Sequence, residues 1–375
     1  MEPVVARKSV WVVADSIVSP LGNTSEENFR NVVDSVSGLR EITDPAITTS
    51  PIHAGQVVGI TIENDLTRFE QMCVDAIRGI ISRYPLSSSR TLLILSTTKG
   101  NIDLLKRTPD DPRLRLHATA KHIANYVGFQ NVITVSNACI SGVMAVTVAK
   151  RYLQAGTFDH ALVIGADELT SFVVSGFQSL GALSSDACKP FDKNRTGINL
   201  GEAAAAILLS SKPEDFPAAE RIEVMGSGLT NDANHISGPS RTGEELALAI
   251  TTALEESNLQ PSDIDFISAH GTATIYNDEM EAKAFSLARL SHVPLNSLKG
   301  YYGHTLGAAG VVELIISIHS LLNNRLIRSL GFSVSGVSQP LNIIQESSST
   351  DLKTVLKTAS GFGGCNAAIV LQKHS

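Results

Sequence analysis

One cysteine stands where the backbone favours a reactive thiol. Cys139 follows residues 132–135, whose apolar character predicts a β-strand, and precedes residues 141–154, whose spacing predicts a helix. The first turn of a helix presents free N–H groups and the positive end of its dipole, which favour the thiolate. The small residues Ser141 and Gly142 are expected to leave room for a substrate. Burial as an ordinary small apolar side chain remains an equally open alternative.

Two histidines stand at similar junctions between a predicted strand and a loop. His270 follows the predicted strand 265–269 and opens the motif HGTAT, while His304 lies in KGYYGHTLGAAG before a predicted helix at 306–322. Open α/β sheets place ligands and catalytic groups at the carboxyl ends of their strands. Either histidine alone would more often be a surface or structural group. Two of them at such junctions, with a cysteine at a third, predict a shared site.

Three further features could take part in such a site. The glycine turn GFGG at 361–364 separates two apolar segments, 354–360 and 367–372, that predict a terminal hairpin. Glycine allows backbone N–H groups to approach a reacting carbonyl, although an ordinary hairpin turn is the simpler interpretation. Lys299 and Glu313 flank His304, and the sequence allows either a buried pair or two surface charges.

The elements that must position these residues alternate between strands and helices, which predicts an α/β fold with parallel strands. Residues 38–65 look irregular, and residues 107–115 predict an exposed loop. The segment NACISGVMAV (137–146) resembles GHTLGAAGVV (303–312) in its pattern of small residues. This similarity predicts two α/β halves, which we place at 1–210 and 211–375. The remaining predicted elements are strands at 9–13, 91–96, 161–165 and 293–296 and helices at 25–33, 69–82 and 244–256.

Composition excludes several classes of protein. The chain has 375 residues, 43% of them hydrophobic, and a formal net charge of −7, which does not suit sequence-independent binding of nucleic acid. No segment reaches the roughly 18 uncharged apolar residues of a spanning helix, and the amino-terminal segment does not look like a secretory signal. The four cysteines form no CxxC pair, which argues against a structural zinc site and a disulfide framework. We therefore expect a cytoplasmic protein without a membrane span.

Several segments together resemble the elongating β-ketoacyl-[acyl-carrier-protein] synthases of the thiolase superfamily. The resemblance implies a thiolase-like fold, in which two similar halves form α-β-α-β-α layers. It implies an acyltransferase that performs decarboxylative Claisen condensation in fatty-acid, polyene or polyketide biosynthesis. The matching segments, in the family's order, are NAC (137–139), PFDKNRTG (190–197), LGEA (200–203), HGTAT (270–274), NSLKGYYGHTLGAAGVVE (296–313) and GFGGCNA (361–367).

The resemblance also implies roles for individual residues. Cys139 matches the nucleophile that carries the acyl group, and His270 and His304 match the pair that stabilises the enolate of the malonyl substrate. Lys299 and Glu313 match residues that organise the two histidines. No metal or redox cofactor is implied, because both substrates arrive on the phosphopantetheine of an acyl carrier protein.

Two further positions concern the oxyanion and the partner protein. The backbone N–H groups of Cys139 and Phe362 match the oxyanion hole, and the Phe362 side chain matches a gate for the second substrate. Arg195 matches a basic position that contacts the carrier protein. Besides that carrier, the resemblance implies a homodimer or a heterodimer with a related synthase-like subunit.

The chain departs from the family pattern in ways that identify a divergent member. Asn137 stands where Thr or Ser is frequent, Cys365 replaces Thr after GFGG, and the stretch between Gly100 and Cys139 is short. A chain-length-factor-like subunit with little catalysis of its own is the open alternative, although such subunits usually lack the cysteine. A thiol hydrolase would not need His304, and a degradative thiolase would require a second catalytic cysteine. An initiating synthase would carry Asn at the position of His304.

Overall fold

The computed structural model describes residues 8–217, 221–233 and 238–374. Among these residues no helix is long and apolar enough to cross a membrane. The helices are α1 (Ser25–Val33), α2 (Arg68–Ile81), α3 (Leu116–Val127), α4 (Ser141–Gln154), α5 (Ser171–Ser179), α6 (Glu244–Ser257), α7 (Ile275–Leu287), α8 (Lys299–Tyr302) and α9 (Ala309–Leu322). The strands are β1 (Trp11–Val18), β2 (Leu39–Ile42), β3 (Ile52–Gly55), β4 (Thr91–Ser96), β5 (Asn131–Val135), β6 (His160–Asp167), β7 (Leu200–Gly201), β8 (Ala203–Ser210), β9 (Arg221–Asn231), β10 (Phe266–Ser268), β11 (Pro294–Asn296), β12 (Arg325–Leu326), β13 (Asn342–Ile343), β14 (Ser348–Ser349), β15 (Thr354–Gly361) and β16 (Cys365–His374).

The strand order is the same in both halves of the chain. The first half runs β5-β4-β6-β8-β1, and the second runs β11-β10-β15-β16-β9 with β13 added at its outer edge. In each half the first two neighbour pairs are parallel and the last two are antiparallel. A short pairing of β1 with β9 joins the two halves into one sheet. The repeated order confirms two similar α/β halves, while the boundary at 210/211 stays a prediction.

Helices cover both faces of each half-sheet. Side chains alternate across a strand, so Leu93 of β4 packs against α2 and α3, whereas its neighbour Leu92 belongs to a central core with α4 and α9. In the second half Val355 of β15 faces the same central core, and Leu356 faces α6 and α7. The two outer helix layers, two half-sheets and central helix layer form the predicted α-β-α-β-α architecture.

The two central helices cross at a pair of glycines. A Cβ added at Gly142 of α4 would lie 2.8 Å from the backbone nitrogen of Val311, and one at Gly310 of α9 would lie 2.5 Å from that of Val143. Only glycine permits this approach of two backbones. The expectation that Gly142 leaves room for a substrate is wrong, because α9 fills that space. The crossing brings the amino-terminal ends of α4 and α9, and the loops before them, side by side.

Three local predictions differ from the structure. The segment 38–65 is not wholly irregular, since it contains the antiparallel pair β2–β3, and β7 adds to β3 in parallel. Strand β1 continues past the predicted end at residue 13, because its backbone pairs with β8 as far as Val18. The polar Asp15 on this strand pairs with His319 of α9 at 3.0 Å. The helix predicted from residue 306 begins at Ala309, after a 3₁₀ turn at residues 306–308.

Candidate active site

The structure brings the predicted cysteine and both histidines together. Cys139 lies between β5 and α4, and His304 lies at the equivalent place in the second half, between β11 and α9. His270 follows β10. The sulfur of Cys139 and one nitrogen from each imidazole all lie within 4.8 Å of one another, and the three residues are buried. The two imidazole rings meet edge to face, with centroids 5.1 Å apart. The spatial requirement of the predicted site is met, and the chemical roles remain predictions.

Each of the three loops contains a non-glycine residue in the left-handed region. The φ angle is +44° at Ala138, +59° at Ala273 and +52° at Leu306. Such a conformation costs on the order of 1–3 kcal/mol per residue and persists where surrounding contacts determine it. The strained residues lie one to three positions from the reactive side chains, so the backbone is held in the conformation that presents them.

Burial dominates the acidity of the Cys139 thiol. Desolvation raises the pKa of this thiol to about 12 and Cys365 acts in the same direction, while Lys299 and the backbone N–H of Phe362 oppose them. The loss of water therefore opposes the effect that the sequence predicts for the helix start. The thiol needs a base when it attacks a substrate.

Both imidazoles are neutral at physiological pH. Burial lowers the pKa of His270 and of His304 well below the usual value, and Lys299 and Lys357 add to the effect. The backbone N–H of Leu306 donates to Nδ1 of His304 at 3.3 Å, so the proton of the neutral ring lies on Nε2. His304 Nε2 and His270 Nδ1 have no hydrogen-bond partner within the described residues. These buried atoms are available to a substrate.

Lys299 and Glu313 form a buried ion pair beside the histidines, which excludes the surface-charge alternative. The ammonium of Lys299 also donates to the carbonyl oxygen of His270 at 3.1 Å. A second lysine, Lys357 of β15, lies 2.5 Å from the other carboxylate oxygen of Glu313. Burial opposes the ionisation of Glu313, yet the two lysines bring its pKa below the usual value. Lys357 was not predicted from the sequence. The only feature that marks it there is a single charged residue within the apolar segment TVLKTAS.

Buried carboxylates fix the loops that carry the histidines. Glu281 of α7 accepts hydrogen bonds from the backbone N–H groups of His270 and the following residue, at 2.8 and 2.6 Å. Asp167, at the end of β6, accepts from the backbone N–H of Gly307 at 2.7 Å and from the loop 97–99. Asp167 therefore ties the His304 loop to the first half of the chain. The sequence analysis did not single it out, since one acid at a strand end carries no specific signal.

The GFGG turn approaches the nucleophile closely. A Cβ added at Gly361 would lie 2.9 Å from the backbone nitrogen of Cys139 and 2.9 Å from the sulfur of Cys365. The backbone N–H of Phe362 forms a hydrogen bond with the Cys139 thiol, which opposes the rise of its pKa. The Phe362 ring is 43% exposed and lies 5.8 Å from the ring of Phe177. The position of Phe362 beside the thiol is compatible with the oxyanion and gate roles, which stay predictions.

Arg195 does not lie on the surface as a carrier-protein contact would require. Its side chain is 6% exposed, and its Nε lies 3.6 Å from the carboxylate of Asp278. Its Nη1 donates to the carbonyl oxygens of Asp192 and Gly336, at 2.9 and 2.8 Å. The guanidinium is already used within the chain, and the predicted carrier-protein contact stays a prediction. We assign Arg195 a structural role.

Replacing Arg195 with alanine is therefore expected to lower stability rather than affinity for a carrier protein. Breaking this buried pair costs about 3 kcal/mol, because Asp278 and two carbonyl groups lose their partner. Chemical denaturation measures the loss, and the exposed neighbour Lys193 provides the control. Lys193→Ala should change the free energy of unfolding by less than about 0.5 kcal/mol. Unchanged stability of Arg195→Ala together with weakened carrier binding would support the predicted contact instead.

Comparison with known proteins identifies the family. The model described as "Beta-ketoacyl synthase, N-terminal domain" matches residues 110–215, and "Beta-ketoacyl synthase, C-terminal domain" matches residues 221–333. The chain is 27% identical, over 411 aligned residues, to a 3-oxoacyl-[acyl-carrier-protein] synthase 2 of Staphylococcus aureus (strain COL), with 98% of each protein covered. A protein of the same name from Mycobacterium leprae (strain TN) is 27% identical, with 96% of each covered.

Solved structures agree in fold. The ketosynthase ApeO, in complex with its chain length factor ApeC from Xenorhabdus doucetiae, superimposes with a TM-score of 0.87 at 26% identity, covering 97% of this chain and 98% of that one. The ishigamide ketosynthase/chain length factor superimposes with a TM-score of 0.88 at 26% identity, covering 99% and 100%. The thiolase fold, with a buried thiol beside two imidazoles, defines a condensing enzyme of the acyltransferase type. The chain belongs to the β-ketoacyl synthase family.

Proposed function

We propose that this protein elongates an acyl chain by condensing it with malonyl-acyl carrier protein, as a β-ketoacyl-[acyl-carrier-protein] synthase. The observation that supports this most directly is the approach of the Cys139 sulfur to the imidazole nitrogens of His270 and His304, within 4.8 Å. A non-catalytic subunit would not need a nucleophile, a base and hydrogen-bond donors at one buried site. The same arrangement argues against a thiol hydrolase, which would need only one of the two imidazoles.

Acyl transfer is the first step. The sulfur of Cys139 attacks the thioester carbonyl of the acyl carrier, and its proton passes to a neutral imidazole. The bond between the acyl carbon and the phosphopantetheine sulfur then breaks, and the departing thiolate takes up that proton. The backbone N–H groups of Cys139 and Phe362 hold the oxyanion of the tetrahedral intermediate.

Decarboxylative condensation is the second step. The bond between the malonyl methylene carbon and its carboxylate breaks, carbon dioxide leaves, and the electron pair forms an enolate. His304 Nε2–H and the ring of His270 donate hydrogen bonds to the enolate oxygen. The enolate carbon attacks the acyl-enzyme carbonyl, the bond to Cys139 sulfur breaks, and the thiol is restored with uptake of one proton.

We assign the three converging donors to thiol chemistry rather than to a metal ion. Cys139, His270 and His304 lie close enough to one another to bind a single metal ion. Neither step above requires a metal or redox cofactor, because the reactive groups arrive on phosphopantetheine. The neutral imidazoles are used as base and hydrogen-bond donors throughout.

The proposed synthase pairs with a second subunit and works in the cytoplasm. Strand β5 ends its half of the sheet, and four of its five residues are half-buried, so its outer edge is available for another chain. Solved relatives pair with chain length factors, which supports a homodimer or a heterodimer with a related subunit. The four cysteines are free thiols, in agreement with a reducing compartment. We assign the reaction to the biosynthesis of fatty acids, polyenes or polyketides.

Intact-mass analysis after incubation with a panel of acyl carrier proteins tests the function. The wild-type protein is expected to gain the mass of one acyl group, and Cys139→Ala is expected to gain none. Subsequent addition of malonyl carrier should remove the acyl mass and release carbon dioxide. Absence of loading from every carrier, combined with stimulation of a partner synthase, would favour the chain-length-factor-like alternative.

A further inference from the structure

A second lysine occupies the core of the active site. The side chain of Lys357 is fully buried and projects from β15 toward the end of β10. Its ammonium donates to the carbonyl oxygens of Ser268 and Ala269, at 3.2 Å each. It also pairs with the Glu313 oxygen that Lys299 leaves free. One carboxylate therefore lies between two ammonium groups.

The two lysines hold consecutive carbonyl groups of one loop. Lys357 binds the carbonyls of residues 268 and 269, and Lys299 binds that of His270. On the opposite side of the backbone, Glu281 accepts from the N–H groups of residues 270 and 271. The segment that presents His270 is thus held through both its carbonyl and its N–H groups.

We infer that Lys357 is a positioning residue of the condensing site, which anchors the backbone beneath His270 and places a second positive charge beside both imidazoles. This inference rests on the proposed condensing activity. Lys357 acts through the histidines rather than by touching the substrate, since its ammonium is occupied by Glu313 and two carbonyls. An apolar side chain at this buried position would pack in the core equally well. Packing alone therefore does not explain a buried charge.

The charges around the imidazoles explain what the second lysine adds. Lys299 and Lys357 share Glu313, and the positive charge of each ammonium disfavours protonation of the histidines. Lys357 accordingly acts with burial and Lys299 to lower the pKa of His270 and of His304. A neutral imidazole is required to accept the Cys139 proton. The other ionisable groups that face the pair are Glu281 of α7, Asp167 of β6 and the thiol of Cys139 at α4.

Two variants test the charge of Lys357 with and without a donor for the backbone carbonyls. Lys357→Met removes both, and Lys357→Gln keeps an amide donor for the carbonyls of residues 268 and 269. Glu313 retains Lys299 in each, so the carboxylate is not left unpaired. In both variants the acid limb of acyl loading should move upward by about one pH unit. Because the pKa values of both wild-type histidines lie well below the usual value, a pH series of acyl loading that extends far into the acidic range measures this shift. The ring signals of His270 and His304, assigned by NMR with single-histidine variants, should titrate at higher pH.

Lys150→Met provides the matched control. Lys150 is also fully buried and also pairs with a glutamate, Glu256, but it lies on α4 eleven residues beyond Cys139, roughly 16 Å along the helix. This variant should lose stability without moving either the acid limb or the histidine titrations. If the Lys357 variants behave like Lys150→Met, the inference is overturned. If the wild-type protein loads no acyl group, the proposed function fails, while the histidine titrations still decide the placement of the charge.

Discussion

Cys139→Ala is expected to lower the rate of condensation by at least about 10³-fold, because the thiol proposed to carry the acyl chain as a thioester is lost. The side chain is 6% exposed, and alanine removes only its sulfur, so the fold should survive. We expect a loss of about 1 kcal/mol in the free energy of unfolding. Product formation from acyl and malonyl carriers measures the first effect, and chemical denaturation measures the second.

Cys73→Ala is the matched control for the nucleophile. Cys73 is also a fully buried thiol whose pKa burial raises well above the usual value, but it lies in α2 within the outer helix layer. Its replacement should cost a similar amount of stability and leave condensation within about twofold of the wild type. Elongation by Cys139→Ala at a rate close to the wild type would show that the thiol is not the acyl carrier.

His304→Ala is expected to reduce decarboxylation of the malonyl substrate by about 10²–10³-fold. Its Nε2–H is a buried donor without a partner within the described residues, so the enolate oxygen would lose a preorganised hydrogen bond. Acyl loading should fall much less, because His270 remains as a base. Release of labelled carbon dioxide measures the first half-reaction, and the mass of the acyl-enzyme measures the second.

His319→Ala is the control on the same helix. His319 of α9 pairs with Asp15 at 3.0 Å, outside the active site, and this pair raises the pKa of His319 despite the opposing effect of burial. The variant should change stability but neither half-reaction. Equal losses of decarboxylation and acyl loading in His304→Ala would contradict the separate role assigned to His304.

Much of the site could be predicted because each part lies at a local junction of strand, loop and helix. Cys139, His270 and His304 are marked by residues next to them in the chain, and the structure brings them together as predicted. Lys357 could not be predicted, since its partners Glu313 and Ser268 are distant in sequence. The residues next to Lys357 in the chain predict only a buried strand and give no indication of these partners.

The surroundings of Arg195 and of the Cys139 thiol could not be read from the sequence, for a common physical reason. A motif indicates which residue occurs, but exposure and dielectric depend on what packs over it. Burial raises the pKa of the Cys139 thiol. Burial also directs the Arg195 guanidinium to carbonyls inside the chain. Both effects come from contacts between segments far apart in sequence.

By itself, the sequence determined the alternation of strands and helices and the candidate reacting groups, because periodicity and turn chemistry are local. The layered fold was implied by the resemblance of its motifs to a known family. The tertiary structure alone decided how those groups ionise. The crossing of α4 and α9 at Gly142 and Gly310 brings the two halves into contact and removes water from the thiol and imidazoles. Two lysines from separate elements then set the charge around them. Desolvation and charge depend on distances in space, which no single segment of the chain specifies.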